Sequence, residues 1–179
     1  MLISNEYRAL IYKLREGNPR WGNGGHRHVQ DIKSSVIDND KWKIRSALDY
    51  GCGHGVILSE LVHQRALLAD NCYRYDPGIP EYTNLPDKAD LVICTDVLEH
   101  IEPDLLDNVL EHLASLHKKV AYLCIHTKHA NEILPDGRNA HLTQQPPRWW
   151  QDKLEKVYKD VAILNSPKDD NIRPAWVCQ

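Results

Sequence analysis

The sequence has no long apolar run and no leader-like segment. None of its 179 residues belongs to an apolar stretch of about 18 residues, so we expect no transmembrane helix. Residues 1–17 carry charges throughout, unlike the continuous apolar core of a signal peptide. We therefore expect a cytoplasmic protein without membrane contact.

Paired cysteine motifs are also absent. The chain has five cysteines, and no two of them have the C-x-x-C spacing. Cys72, Cys94 and Cys124 instead lie within short apolar runs. This pattern predicts buried free thiols in a reducing compartment and argues against a disulfide framework or a zinc cluster.

An excess of basic residues is lacking as well. The formal net charge is -3 and the isoelectric point is about 6.3, which argues against non-specific binding of nucleic acid. The hydrophobic share of 42% and the charged share of 26% are those of an ordinary globular protein. The length fits one domain over residues 1–179, in which we expect residues 1–43 to form a helical lid segment.

Segments of two periodicities alternate along the chain. Apolar spacing and turn residues predict helices at 3–16, 28–38, 56–68, 103–118 and 148–158. Short apolar runs predict strands at 47–50, 72–76, 89–95, 119–125, 161–164 and 175–178. The alternation predicts an α/β, Rossmann-like, doubly wound and mostly parallel sheet with helices on both faces. Residues 79–88 contain two prolines and no clear helix or strand, so one βα unit is predicted to be shortened.

A glycine-rich turn follows the first predicted strand. Gly51, Gly53 and Gly55 connect that strand to a helix, where glycine lets a ligand approach the backbone closely and the helix start offers free N–H groups. Asp76 ends the next strand, where a carboxylate can accept hydrogen bonds from ribose hydroxyls. The turn therefore predicts a site for an adenosine-containing cofactor.

The spacing of this turn distinguishes two cofactor classes. Dinucleotide folds usually have G-x-G-x-x-G, whereas this chain has G-x-G-x-G preceded by Asp49, an acid that disfavours a pyrophosphate and favours a cationic amino group. The pattern resembles the first motif of class I S-adenosylmethionine-dependent methyltransferases. The resemblance implies that the glycine turn, including Cys52, lies against the methionine part of the cofactor and that Asp76 binds the ribose. Tyr75 and Asp96 would be its neighbours.

A second motif, Thr95-Asp-Val-Leu-Glu-His-Ile101, ends the third predicted strand. It resembles the fourth motif of the same superfamily. The N/D-P-P-Y/F sequence of enzymes that methylate amino groups of nucleic acids is absent here, and so is the Pro-Cys dipeptide of cytosine C5 methyltransferases. Both of these classes are disfavoured.

The same motif offers three metal-ligating groups. Asp96, Glu99 and His100 would share one side of a helical turn, where two carboxylates and an imidazole could hold a divalent metal ion. The alternative, which we favour, is that Glu99 and His100 only pack and cap the helix beside the pocket.

Histidines are frequent in the predicted rim of the sheet. His28 ends a glycine-rich segment predicted to be a mobile loop, His126 follows the fourth strand, and His141 lies in a turn-rich loop. Each could act as a general base near neutral pH. The segments WGNGGHRH at 21–28 and LPDGRNAHL at 134–142, followed by two tryptophans, resemble those of small phage-encoded methyltransferase-like proteins. The resemblance implies that the protein acts in a host cytoplasm. Trp149 and Trp150 are expected to dock a helix against the core.

Together with these residue patterns, the resemblance implies a methyltransferase that moves a methyl group from S-adenosylmethionine to an oxygen of a small molecule or nucleotide-like acceptor. Two alternatives remain. The first is a module that binds S-adenosylmethionine without methyl transfer, in a sequestering or regulatory role. The second is an NAD-type oxidoreductase, which the short glycine spacing disfavours.

Overall fold

A six-stranded sheet forms the centre of the protein. The computed structural model describes residues 1–164 and 173–179. The strands are β1 (Ala47–Tyr50), β2 (Cys72–Tyr75), β3 (Ala89–Thr95), β4 (His117–Cys124), β5 (Val161–Ile163) and β6 (Ala175–Cys178). Their order in the sheet is β2-β1-β3-β4-β6-β5, parallel as far as β4, with β6 antiparallel to both of its neighbours. The predicted α/β class with a mostly parallel sheet is confirmed.

The helices lie close to their predicted positions. They are α1 (Asn5–Gly17), α2 (Val29–Ile32, continued by a π-helical turn over Lys33–Ile37), α3 (Val56–His63), α4 (Leu106–Leu116) and α5 (Pro147–Leu154). Helix α3 ends five residues before the predicted Leu68, because Arg65 adopts a left-handed φ of 55° and the backbone N–H groups of Ala66 and Leu67 turn back to the carbonyl of Leu61. No helix in the described part of the chain is both long and apolar enough to cross a membrane.

The connection between β2 and β3 is short, as the two prolines predicted. It contains only a 3₁₀ turn over Pro80–Tyr82. The backbone N–H of Asp76 donates to the carbonyl of Tyr82, and the N–H of Ile79 donates to the carbonyl of Asp76. The chain thus folds back directly after β2, and this fixes the position of Asp76 at the end of that strand.

Apolar side chains cover both faces of the sheet. Six of the seven residues of β3 are buried, as expected of a central parallel strand. One core cluster joins the sheet to α1, α4 and α5, and the other joins it to α2 and α3. Trp150 is fully buried in the first cluster, as expected for a residue that docks a helix.

Two local expectations need correction. The glycine-rich segment before His28 is not a continuous loop, because residues Gly24–His28 form a 3₁₀ turn against α3. A Cβ atom on Gly25 would meet the Ile57 side chain at 2.7 Å, so glycine permits this close approach. All five cysteines are free thiols, but Cys72 is half-buried rather than buried because it lies on the edge strand β2.

Candidate active site

A cavity of about 690 Å³ opens at the carboxyl ends of the parallel strands. Its walls come from α1, from the turn after α1, and from the segments that follow β1, β2, β3 and β4. Open α/β sheets bind ligands at this edge. Both motifs that the sequence singled out therefore contribute to one cavity.

The glycine turn forms one wall of this cavity. The backbone N–H groups of Gly51 and Cys52 both donate to the carbonyl oxygen of Tyr75, at 2.7 and 3.1 Å. Gly51 and Gly53 have backbone φ angles of 73° and 52°, which residues other than glycine rarely adopt. A Cβ atom on Gly51 would lie 2.4 Å from the Val97 side chain. The turn is a bare backbone surface that only glycine can build here.

Asp76 faces the glycine turn from the end of β2. Its Oδ1 accepts a hydrogen bond of 2.8 Å from the backbone N–H of Gly78. Its Oδ2 accepts 3.0 Å hydrogen bonds from the N–H of Gly53 and from Nη2 of Arg15. The carboxylate is thus oriented by the backbone on both sides, and Arg15 contacts it from helix α1.

Asp49 is a buried carboxyl group with an unsatisfied oxygen. It is 2% exposed at the end of β1, and its Oδ2 has no hydrogen-bond partner. Burial raises the pKa of Asp49 to about 7, although the charge of Arg74 opposes the shift. A nearby cation would stabilise the ionised carboxylate of Asp49. The ammonium group of a cofactor that contains an amino acid is such a cation.

Asp96 is held by two cationic or ionisable partners. Its backbone has a left-handed φ of 53°, and its carboxylate accepts from Nε2 of His28 at 3.0 Å and from Nε of Arg173 at 2.9 Å. Burial acts to raise the pKa of Asp96, but His28 and Arg173 outweigh it and hold this pKa well below its ordinary value. Asp96 is therefore a carboxylate at neutral pH, engaged away from Glu99.

Glu99 and two histidines converge beside the cavity. The carboxyl of Glu99 is fully buried; its Oε1 accepts from the backbone N–H of His126 at 2.9 Å, and its Oε2 has no partner. One ligating atom each from Glu99, His100 and His141 lie within 4.8 Å of one another. Burial, followed by the charge of Asp96, raises the pKa of Glu99 well above its ordinary value. The structure thus groups Glu99 and His100 with His141, and not with Asp96 as the sequence suggested.

His126 and His141 form a pair. Their Nδ1 atoms lie 3.2 Å apart, and both are directed at the carbonyl oxygen of Lys128. Nδ1 of His100 pairs with the carbonyl of Ala140 at 2.8 Å, so its proton lies on that side and Nε2 is an acceptor. Burial lowers the pKa of all three imidazoles, which are neutral at pH 7.

The predicted site residues divide into two groups. Those that line the cavity are Gly51, Gly53, Asp76, Asp96, His100, His126 and His141. Those that lie behind its walls, among the residues described, are Asp49, Cys52, Gly55, Tyr75, Glu99 and His28. Gly55 adopts a φ of 70° at the start of α3, and Tyr75 supplies the carbonyl that anchors the turn.

Sequence reasoning predicted a lid segment over residues 1–43 but did not identify the residues in and after helix α1 that line the cavity. Tyr7 and Arg15 line the cavity, as does Trp21 in the turn that follows the helix. Tyr7 is 3% exposed and its hydroxyl has no hydrogen-bond partner. The apolar periodicity of α1 indicates a buried face but not which pocket that face covers, so no local signal identified these residues.

Comparisons with known proteins agree with this geometry. The model of a family described as a methyltransferase domain matches residues 18–159. No curated protein matches the chain in sequence. The fold is similar to that of solved methyltransferase structures.

Three of these structures are representative. The first, with a TM-score of 0.65 and 12% identity, is 1,6-didemethyltoxoflavin-N1-methyltransferase from Burkholderia thailandensis with bound 1,6-didemethyltoxoflavin and S-adenosylhomocysteine; the match covers 99% of this chain and 90% of that one. The second is magnesium protoporphyrin IX methyltransferase from Synechocystis PCC 6803 with bound S-adenosylmethionine, with a TM-score of 0.64, 16% identity and coverage of 98% and 97%. The third is an O-methyltransferase family protein from Burkholderia thailandensis, with a TM-score of 0.60 and 15% identity. Its match covers 89% of this chain but only 58% of that one.

Proposed function

The chain belongs to the family of methyltransferase domains, and we propose that it transfers the methyl group of S-adenosylmethionine to an oxygen of a small molecule or nucleotide-like acceptor. The observation that carries this proposal is that one cavity contains both the glycine turn with Asp76 and the pair His126–His141. A cofactor held at the first would face an acceptor held at the second. Two of the similar structures contain S-adenosylmethionine or S-adenosylhomocysteine, and both of those proteins are methyltransferases by name.

The residues around the glycine turn fit this cofactor. Gly51 and Gly53 line the cavity with bare backbone, which suits close approach of the methionine part. Asp76 is placed to accept the ribose hydroxyls. The unpartnered Oδ2 of Asp49 is buried behind the turn, so it is suited to the ammonium group through a bridging water. When bound, S-adenosylmethionine supplies a methyl group activated by its sulfonium.

The histidine pair can remove a proton from the acceptor. His126 and His141 are neutral imidazoles whose Nδ1 atoms share the carbonyl of Lys128, so the Nε2 atom of each is the nitrogen left for a substrate hydroxyl. A hydroxyl is a poor nucleophile until a base takes its proton as the methyl is transferred. His28 has a different role, because its Nε2 binds Asp96 and it lies behind the cavity wall. We assign His28 to positioning Asp96.

A second candidate is metal-assisted activation of the acceptor. The buried, unpartnered Oε2 of Glu99 favours it, because an ion bound by Glu99, His100 and His141 would satisfy that oxygen. The hydrogen bond from His100 to a backbone carbonyl is the kind that orients metal-ligating histidines. In this candidate His126 would hold Glu99 in place through its backbone N–H.

The N-terminal segment is suited to act as a lid. Residues 1–43 belong to the single domain that we propose for the whole chain, and Trp21 and Gly22 line the cavity beside the glycine turn. The carbonyl of Gly22 would lie 2.6 Å from a Cβ atom on Gly53, so the segment touches the turn. The cavity of about 690 Å³ has the size of a small-molecule pocket, which supports a small acceptor. The predicted cytoplasmic location and the likeness to phage-encoded proteins stay predictions.

Transfer of labelled methyl tests the proposed function. Purified protein would be incubated with S-adenosylmethionine carrying a tritiated methyl group and with metabolite, nucleic-acid and protein fractions of a cell extract. We expect label on a small molecule with the wild-type protein, and none with the His126→Ala, His141→Ala double variant, which should still bind cofactor. Cofactor binding without any labelled product would favour a sequestering module, and preference for NAD in calorimetry would favour an oxidoreductase.

A further inference from the structure

The guanidinium of Arg15 lies between the turn after β2 and the Trp21 ring. Nη2 of Arg15 lies 3.0 Å from Oδ2 of Asp76, and Nη1 donates to the carbonyl oxygen of Gly78. The guanidinium carbon lies 5.1 Å from the centre of the Trp21 ring, in a cation–π arrangement. Arg15 thus joins helix α1 to the turn after β2.

The contact of Arg15 with Asp76 is largely shielded from water. The side chains of Arg15 and Asp76 are 17% and 9% exposed. A bridging guanidinium with two donors engaged is held in one geometry, and a pair shielded in this way is weakly screened by salt. The pair therefore persists in the unloaded protein.

Asp76 has little acceptor capacity left. Its Oδ1 accepts from Gly78, and its Oδ2 accepts from both Gly53 and Arg15. A carboxylate has about four lone-pair sites, so the ribose hydroxyls would find only one of them open, on Oδ1. The two backbone donors belong to turns that form the site, whereas the Arg15 side chain can rotate away. Arg15 is accordingly the partner that can yield.

We propose that Arg15 competes with the cofactor's ribose for Asp76, so that loading the cofactor requires the Arg15–Asp76 pair to open. This inference rests on the proposed function, in which Asp76 is the ribose acceptor. When the pair opens, the guanidinium also moves relative to the Trp21 ring that it contacts. Cofactor loading is thereby coupled to the N-terminal segment that covers the cavity.

The sign of a single substitution distinguishes competition from direct contact. If Arg15 competes for Asp76, then Arg15→Gln removes the competitor and frees the lone-pair site on Oδ2 that Gly53 does not use, so affinity for the ligand rises. If the guanidinium instead binds the cofactor, the same substitution lowers the affinity. The apparent affinity of a site scales with the fraction of molecules in the binding-competent state, which makes the effect measurable.

Calorimetric titration with S-adenosylhomocysteine tests the proposal. We expect Arg15→Gln to lower Kd by about 5-fold, the change for a site that is open about one fifth of the time. Lys13→Gln is the matched control, since Lys13 is an exposed cation on the same helix, and it should leave Kd unchanged. A higher or unchanged Kd for Arg15→Gln overturns the competition.

Two further measurements keep the test decisive. Arg15→Lys retains the charge but cannot form the bridging pair of hydrogen bonds, so its Kd should lie between those of wild type and Arg15→Gln even if the glutamine variant is unstable. S-Adenosylhomocysteine should also change the fluorescence of Trp21, identified by its loss in Trp21→Phe, and this change should shrink in Arg15→Gln.

Asp76→Ala separates failure of this inference from failure of the proposed function. If Asp76→Ala weakens binding but Arg15→Gln does not tighten it, only the competition is wrong. If wild-type protein binds no S-adenosylhomocysteine, or Asp76→Ala binds it as well as wild type does, the cofactor assignment itself fails.

Discussion

The backbone N–H of Gly53 donates a hydrogen bond of 3.0 Å to Oδ2 of Asp76. This bond joins the glycine turn after β1 to the end of β2, two segments that the sequence connected only through their common cofactor motif. It fixes the carboxylate relative to the bare backbone of the turn. The ribose acceptor and the surface for the methionine part are therefore built as one unit.

Asp76→Ala should weaken the binding of S-adenosylhomocysteine by about 10-fold or more, since hydrogen bonds to charged groups each contribute roughly 1.5–3 kcal/mol. Calorimetry would measure this loss. Asp87→Ala, which changes an exposed carboxylate on the same connection, should bind as wild type does. Equal affinities of the two variants would remove Asp76 from the site.

Asp49 should make cofactor binding dependent on pH. Its pKa of about 7 means that the carboxylate forms as the pH rises from about 5.5 to about 7.5, a range in which an α-amino group with a pKa of about 7.7–8.0 stays mostly protonated. Affinity for S-adenosylhomocysteine should therefore increase over this range in wild type. Asp49→Asn should bind more weakly at the upper end and show a flat profile.

The same pKa predicts an opposite trend for stability. Folded protein retains the Asp49 proton up to a pH of about 7, whereas an aspartate in the unfolded chain has its ordinary pKa of 3.8 and loses the proton near that pH. The folded state then binds more protons between these values, so the contribution of Asp49 to the free energy of unfolding falls as the pH rises through them. Asp49→Asn should lack this fall in thermal unfolding. An unchanged pH profile would contradict the buried assignment.

Binding of Mn²⁺ should distinguish metal-assisted activation of the acceptor from proton removal by the histidine pair. If Glu99, His100 and His141 hold a divalent ion, then His141→Ala should weaken Mn²⁺ binding by about 10-fold or more, a loss at least as large as that for outer-shell partners. His129→Ala changes an exposed histidine nearby and should have no effect. Wild-type protein that binds no Mn²⁺, Mg²⁺ or Zn²⁺ would leave the histidine pair as the base.

The N-terminal segment should resist proteolysis when the cofactor site is filled. Arg20 and Arg27 are exposed trypsin sites on either side of the turn that contacts Gly53. S-Adenosylhomocysteine should slow cleavage at both, because exposed loop segments are cut preferentially when they are free to open. Cleavage after Lys41, which lies outside the cavity wall, serves as the internal control. Equal rates at all three sites with and without ligand would argue against a lid.

Gly53→Ala should reduce both stability and cofactor binding. The new Cβ would lie 2.6 Å from the carbonyl of Gly22, at a φ of 52°, and left-handed backbone costs other residues roughly 1–2 kcal/mol. Gly137→Ala is the matched control: its φ is 90°, yet nothing lies within 4 Å of the new Cβ. Thermal unfolding should show the smaller loss for Gly137→Ala, and calorimetry no loss of binding. A Gly53→Ala protein that binds normally would contradict the contact.

Local patterns predicted the sheet and the cofactor wall well. The observed bounds of β3 and β6 equal those predicted from short apolar runs. The glycine turn was also predicted, because three glycines spaced two residues apart between a strand and a helix are unusual outside ligand-binding turns. Helix α3 is shorter than its apolar pattern, because apolar residues also cover the core after Arg65 reverses the chain. Periodicity alone does not distinguish these two uses of an apolar residue.

The acceptor side could not be assembled from sequence. His141 contacts His100 although the two are 41 residues apart in sequence, and Arg15 contacts Asp76 although they are 61 residues apart. No rule of sequence spacing predicts such contacts. Asp96 shares a motif with Glu99 but points elsewhere, since its left-handed backbone turns the carboxylate toward His28 and Arg173. The residue types showed which groups could bind a ligand or transfer a proton, but only the fold determined which of them contact each other.

The two contacts of Asp96 restrict where the chain can be shortened. His28 lies early in the sequence and Arg173 shortly before β6, so a single carboxylate at the end of β3 links both extremities of the fold. Removing either extremity would leave a half-buried anion, whose side chain is 25% exposed, with only one of its two compensating partners, which is unfavourable. Minimal fragments for crystallisation or fusion proteins must therefore retain both His28 and Arg173, however dispensable each terminal region is to the sheet.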